Sequence, residues 1–401
     1  MKRTILYLGN FSFPLGNAAG KRVYSNGKML RELGYKIIFI GMNKEVDSLK
    51  PLTDTKNMHD GFTYYNFPYP SKNIEWMNYQ QIFSSLIKFL KSEKIIDDLA
   101  LVIYYGSPAV SLFNTKLIRF CKKQDIKIVT DCVDWLTTKT NNPFFNFIKW
   151  ADNSYQKAIA NKKTDGVIAI SSYLSNYYKK QGNKTVIIPP LSPDDNTFEV
   201  LLNNSTTKVI TYAGLPFRKG QLVTDYSSLK DRIDVMINLL YQAKLSGCRF
   251  IFNIYGFTKE DYLIVLPSQK EYIDMLGDSV VFHGHKTNEE VVEKIRNSDF
   301  TILIRDVNRD TTAGFPTKVS ESISCGTPVI TTSTSDLEKY IEEGKNGFLL
   351  NMDENISANQ ICEILNINTE EIHKMKNYCK ESNPFHYKKF EGTISDFLKD
   401  I

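Results

Sequence analysis

The residues best suited to chemistry by type and spacing lie in Ala313-Gly-Phe-Pro-Thr317-Lys318-Val-Ser-Glu321-Ser-Ile-Ser-Cys-Gly326-Thr-Pro-Val-Ile330. This stretch reads as turn, helix, turn, strand. Thr317 is predicted to cap the helix with Lys318 in its first turn, so that amide N–H groups and the positive helix end face an anion such as a diphosphate. Glu321 falls one turn further on, where a carboxylate can accept two hydrogen bonds from a vicinal diol such as a ribose. Complementing the helix dipole is its plainer alternative. Gly326 ends the helix and Pro328 opens a strand.

Two further segments carry phosphate-binding features. Tyr212-Ala-Gly214-Leu-Pro-Phe-Arg218-Lys219-Gly220 sets two adjacent cations after a predicted strand. Arg can fork onto phosphate oxygens and Lys offers a compact charge, although a solvated basic turn has the same composition. Gly9 to Gly20, with Gly16 between them, is a glycine-rich loop between a strand and a predicted helix Val23–Leu33. A phosphate cradle and a plain tight turn fit it equally. It is not G-x-G-x-x-G, and no acidic residue closes the second strand, which disfavours a dinucleotide-binding dehydrogenase.

These segments need a scaffold, and the apolar runs supply one. Ile5–Leu8, Ile37–Ile40, Leu101–Tyr105, Ile126–Thr130, Gly166–Ile170 and Val186–Ile188 are continuous rather than alternating, as buried parallel strands require. The pattern restarts with Lys208–Ala213, Arg249–Tyr255, Val280–His283, Phe300–Ile304, Pro328–Thr331 and Gly347–Leu350, with amphipathic spacers such as Asp231–Lys244 and Asn288–Asn297. The prolines of Pro189–Asp195 read as a connector. The fold class is therefore α/β: a doubly wound parallel-sheet domain over 1–190 and another over 195–383. A C-terminal amphipathic helix within 384–401 is expected to pack back on the first.

The 401 residues carry a net charge of +5, and this sum hides a division. Residues 1–190 hold 27 Lys and Arg against 14 Asp and Glu, +13, whereas residues 191–401 hold 23 against 31, −8. A basic half suits an anionic surface, and solvated lysines give the same count. Two basic stretches interleave aromatic and aliphatic residues, Trp76–Leu90 and Asn142–Trp150, and fit either a helix resting on anionic lipid or a stripe facing the core. No aromatic-basic motif marks nucleic-acid binding. No signal-type segment or membrane-length apolar run occurs, so a cytoplasmic protein is expected. The six cysteines show no C-x-x-C spacing, the five histidines no metal-ligand spacing, and D-x-D is absent. No metal or other cofactor is expected.

The Ala313–Ile330 segment resembles the signature of family 4 retaining glycosyltransferases of GT-B fold, in which Glu, seven residues and a second Glu precede G-x-P-V-I. Arg218-Lys219-Gly220 resembles that family's phosphate motif. Ile168–Leu174, Val186–Pro190, Val281–Gly284 and Ser298–Leu303 also resemble its strings. The resemblance implies two Rossmann-like domains facing across a cleft. It implies that Arg218 and Lys219 bind a donor diphosphate, Glu321 the ribose and the Gly16 loop the phosphate or transferred sugar. The first Glu of the pair is replaced by Ala313, Leu215 stands where many members have Arg, and Pro316 removes a backbone donor. Arg305 is a candidate for the missing charge, with Arg309 a weaker one, unless they pair with Asp306 or Asp310. Asp131 and Asp134 follow a strand in the region where relatives place a cleft His or Asp. Asp134 is the preferred residue for positioning acceptor or sugar hydroxyls, and a turn-capping role is its alternative.

The function expected is sugar transfer from a nucleoside diphosphate donor, UDP-type favoured, with retention. The acceptor expected is a glycan or a polyprenyl-diphosphate-linked glycan in capsule or exopolysaccharide synthesis, with peripheral contact at the cytoplasmic face of the membrane. A nucleotide-sugar 2-epimerase and a non-catalytic partner of an assembly complex are the alternatives.

Overall fold

The computed structural model describes residues 3–47, 51–70, 75, 82–106, 110–135, 143–192, 198–201, 203, 205–351 and 354–401. The chain divides into two compact units, Met1–Pro193 with Tyr387–Ile401, and Asp194–His386.

The first unit is built on β1 (Thr4–Gly9), β2 (Lys36–Asn43), β3 (Asn57–His59), β4 (Phe62–Pro68), β5 (Leu99–Tyr105), β6 (Lys127–Cys132), β7 (Gly166–Ala169) and β8 (Thr185–Ile187). They form one sheet in the order β3-β4-β2-β1-β5-β6-β7-β8. Every neighbouring pair is parallel except β3 with β4. All six residues of β1 are buried. Ile5 and Tyr7 enter one core and Leu6 and Leu8 the other, because successive strand residues point to opposite faces.

The β3–β4 hairpin is absent from the sequence expectations. Its turn is Asp60-Gly61, with φ of 48° and 75°, the left-handed pair that a tight two-residue hairpin needs. The Asp-Gly pair was the available signal, and the shortness of β3 concealed it. The first helix begins at Ala18, ahead of the predicted Val23, because Asn17 accepts a hydrogen bond from the Gly20 N–H at 2.7 Å and caps it.

The two aromatic-basic stretches part company here. In helix Ile82–Ser92, Leu86, Phe89 and Leu90 are buried in the core, and Trp76 to Gln81 lie outside the described residues. In helix Pro143–Tyr155, Phe144, Phe147, Ile148 and Trp150 are exposed, while Asn142 lies outside the described residues. Tyr387, Ile394 and Phe397 fill the first unit's core from the C-terminal segment, with helix Glu391–Asp400 carrying the last two.

Of the connector, Pro193 to Asp195 lie outside the described residues. Its earlier part is packed down: Arg22 donates to the carbonyls of Ile188 (2.9 Å) and Pro189 (3.2 Å), and Ser25 donates to that of Leu191 (3.0 Å).

The second unit carries β9 (Lys208–Ala213), β10 (Phe250–Tyr255), β11 (Val280–Phe282), β12 (Phe300–Leu303), β13 (Val329–Thr332) and β14 (Gly347–Leu350). Their order is β11-β10-β9-β12-β13-β14, parallel throughout. The order reverses between β9 and β12. At such a switch point the flanking connections diverge to opposite faces and leave a crevice beyond the strand ends. The polypeptide is tightly folded there: a Cβ on Gly256 would lie 2.3 Å from the Gly214 carbonyl oxygen, and the Gly214 N–H donates to the Tyr255 carbonyl at 2.9 Å.

Candidate functional site

The β9–β12 crevice holds a buried charged cluster around Asp231. Its Oδ1 accepts from Arg305 Nε at 2.7 Å, and its Oδ2 accepts from Lys318 Nζ at 2.6 Å and from the Tyr212 hydroxyl at 2.8 Å. Tyr212 is on β9, Arg305 follows β12, Asp231 leads into helix Ile233–Leu245 and Lys318 lies in helix Thr317–Ser324. Burial raises the pKa of the Asp231 carboxyl, but Lys318 and Arg305 outweigh it and hold the group well below the usual carboxylate range. Burial lowers the Lys318 ammonium, and the Asp231 charge acts against that fall. The cluster sums to one positive charge.

Thr317 is the first helical residue rather than the cap. Pro316 occupies the cap position at φ −76° and ψ 92°, and no side chain closes that end. Proline fixes φ near the helical value and has no side-chain oxygen, so the helix starts without a capping hydroxyl. Lys318 and Glu321, three residues apart on one helical face, line the same small cavity as Tyr212, Ala213 and Leu303. Glu321 is half-buried there. Ala313 is fully buried at the end of the short helix Arg309–Ala313, so its methyl group belongs to the core.

The other predicted cations differ in their surroundings. Lys219 pairs with Asp261 at 2.7 Å, and Arg218 is an exposed neighbour on the same turn. Arg305 pairs with Asp231 rather than with Asp306, whose carboxylate takes Arg232 at 2.6 Å. Because Arg305 is only 6% exposed, it acts as a framework cation rather than a solvent-facing one. Arg309 lies 4.0 Å from Asp310 on the surface.

In the first unit the Gly16 N–H donates to the Ser12 carbonyl at 3.1 Å, and a Cβ at Gly16 would lie 2.5 Å from Ser12 Oγ. The loop is a close-packed turn that uses this amide internally. Asp131 is likewise committed: its side chain is fully buried against Arg22 at 2.8 Å and accepts from the Tyr7 hydroxyl, which accepts in turn from Asn26. An acceptor hydroxyl cannot reach a carboxylate sealed in this way, so Asp131 holds the first helix to β6. Asp134 lies in the half-buried stretch that follows, beside a small cavity lined also by Gln156 and Lys157. Lys157 donates to the Trp135 carbonyl at 3.1 Å and sits 4.2 Å above its ring.

Sequence reasoning missed Asp231 and Tyr212. Lys230-Asp231-Arg232 before an amphipathic run looks like an ordinary charged helix entrance, and only tertiary packing reveals its partners. His283 is bonded to Asn253 at 2.7 Å and stacked on Tyr255, and burial lowers its pKa. Among the described residues no group of three or more His, Cys, Asp or Glu side chains is placed to hold a metal ion.

Residues 249–382, which include Lys318 and Glu321, match the family model described as Glycosyl transferases group 1. No curated protein matches the chain in sequence. Solved structures that resemble it include a sucrose-phosphate synthase from Thermosynechococcus elongatus, with a TM-score of 0.67 and 14% identity over 99% of this chain and 98% of that one. An alpha,alpha-trehalose-phosphate synthase (UDP-forming) from Burkholderia vietnamiensis gives 0.64 and 11% identity over 100% and 99%. HepE of Anabaena, in complex with UDP and glucose, gives 0.59 and 13% identity over 100% of both chains. At these identities the likeness shows the fold, which is GT-B with two parallel-sheet α/β domains. With that fold and a Glycosyl transferases group 1 match over residues 249–382, the chain is a glycosyltransferase enzyme.

Proposed function

We propose that the chain transfers a sugar from a nucleoside diphosphate donor, UDP-type favoured, with retention of configuration. The acceptor is a glycan or polyprenyl-diphosphate-linked glycan of capsule or exopolysaccharide synthesis. The observation that carries this reading is that Lys318 and Glu321 share one face of helix Thr317–Ser324 beside the β9–β12 switch point, with Lys318 bonded to Asp231 and Asp231 to Arg305. Lys318 supplies charge to the diphosphate, and Glu321 accepts hydrogen bonds from the ribose diol. The bond from the anomeric carbon to phosphate oxygen breaks, a bond from that carbon to the acceptor oxygen forms, and the acceptor proton passes to the leaving phosphate on the same face. Such a route needs no protein base and no bound metal. Asp134 is assigned to positioning hydroxyl groups.

UDP is favoured because two of the structural relatives are a UDP-forming synthase and a complex with UDP and glucose. Peripheral attachment at the cytoplasmic face of the membrane is supported by the exposed Phe144, Phe147, Ile148 and Trp150 in the basic first half. Among the described residues no helix is long and apolar enough to cross a membrane.

The test is binding and turnover across a panel of nucleotide sugars, with acceptor-free reactions to separate transfer from 2-epimerisation. Glu321→Ala is expected to weaken donor binding roughly ten- to a hundredfold, the worth of hydrogen bonds to a charged group. Unchanged affinity would remove Glu321 from the site.

A further inference from the structure

Asp231 accepts three hydrogen bonds from donors that differ in their freedom to leave. Arg305 is held in place: its side chain is 7% exposed and its main-chain N–H donates to Thr332 Oγ1 at 3.0 Å. Tyr212 is a fully buried residue of β9. Lys318 is the most exposed of the three, with 29% of its side chain open, and sits on a flexible four-carbon stem. It lies across Gly214, where an added Cβ would meet Lys318 Cε at 2.4 Å and Nζ at 2.7 Å. Any side chain at position 214 would therefore push the ammonium off its present seat.

We propose that Asp231 is a positioning residue for the donor diphosphate, holding Lys318 charged and laid over Gly214 and yielding its ammonium to a phosphate oxygen as the nucleoside diphosphate binds. This rests on the donor reading given above. After the exchange Asp231 keeps Arg305 and Tyr212, so no buried carboxylate is left without partners, which is the outcome that would make such a move costly. The diphosphate carries more negative charge than one carboxylate and so outcompetes it for the ammonium. Asp231 also sets the protonation of Lys318. The other groups facing the ammonium are Arg305 beyond β12, Lys230 beside Asp231, the Tyr212 ring of β9 at 5.5 Å and Glu321 on its own helix. Without Asp231 the charged groups nearest Lys318 are chiefly cationic, and the ammonium loses its proton at lower pH.

The test is UDP binding by calorimetry from pH 6 to 10 on the wild-type chain, Asp231→Asn and Lys318→Met. In the wild type, affinity is expected to fall at the alkaline end as Lys318 deprotonates. In Asp231→Asn the midpoint of that fall should move down by about 1–3 pH units, the usual effect of a neighbouring opposite charge. Lys318→Met should leave only the weaker fall that ionisation of the uracil N3–H of UDP produces. An unchanged midpoint in Asp231→Asn, or a fall in Lys318→Met equal to that of the wild type, overturns the proposal. If Asp231→Asn does not fold, Asp231→Glu keeps the charge but displaces it by one methylene. It should then weaken UDP binding about tenfold or more with the midpoint near the wild-type value, and unaltered affinity overturns the proposal. Wild-type protein that binds neither UDP nor any other nucleoside diphosphate sinks the donor reading and this one together. Wild-type binding with an unmoved midpoint sinks this one alone.

Discussion

Asp131 and Asp134 are separated by two residues and have different duties. Asp131 is sealed with Arg22 and Tyr7, so Asp131→Asn leaves a buried guanidinium without its counter-charge. That substitution is expected to cost about 3–5 kcal/mol of stability, seen as an earlier denaturation midpoint. Asp134→Asn should hold that midpoint and lower the transfer rate, and equal losses of stability in both variants would contradict the division. Sequence could not separate the pair, because Arg22 lies 109 positions from Asp131 and meets it only through sheet order. Lys318 and Glu321 were legible for the opposite reason: both lie on one helix, where a spacing of three fixes a shared face. Asp231 stands 87 positions from Lys318 and was not legible.

Among the elements, helix Asn288–Arg296 ends against a buried lysine from another helix. Lys376 in helix Thr369–Glu381 is 2% exposed and donates to the carbonyls of Arg296 at 2.8 Å and Ser298 at 2.7 Å. These carbonyls close the helix end, where a cation also meets the negative pole of the dipole. Burial brings the Lys376 pKa down to about 8, against about 10.4 for an unfolded lysine. Between those values the unfolded chain binds the proton and the native chain does not, so stability rises with pH through that window and the gain is lost as pH falls through about 8. Lys376→Met should remove this rise from a series of denaturant titrations between pH 7 and 10.5. A slope identical to that of the wild type would show that the ammonium is not taken from water. The strands at the site were readable because buried parallel strands are continuous apolar runs. Helix Pro143–Tyr155, which leaves Phe144, Phe147, Ile148 and Trp150 exposed, and the core helix Ile82–Ser92 were not told apart, since both mix lysine with aromatic residues and only tertiary packing decides which side chains are covered.

For the whole molecule, the charge division of +13 over residues 1–190 and −8 over the rest coincides with the two-unit division to within a few residues, the C-terminal return aside. If the basic unit meets anionic lipid, Phe147→Ser with Trp150→Ser should reduce co-sedimentation with phosphatidylglycerol vesicles by at least tenfold, from the apolar area removed. Binding by the unaltered chain should also weaken with salt. Equal sedimentation of variant and wild type would place the membrane contact elsewhere or nowhere. The division into two sheets was legible because the strand pattern restarts after the prolines. The return of the last helix carries a consequence for biosynthesis. Phe397 fills space over Gly166, where a Cβ would come within 2.6 Å of its ring, yet about 190 residues of the second unit are translated between the two. At ribosomal speeds of about 5–20 residues per second, the earlier-made unit waits about 10–40 seconds with part of its apolar core uncovered. The later-made unit has all its residues first, so completion of folding runs against the direction of synthesis, and that interval is when a nascent-chain chaperone has a surface to hold.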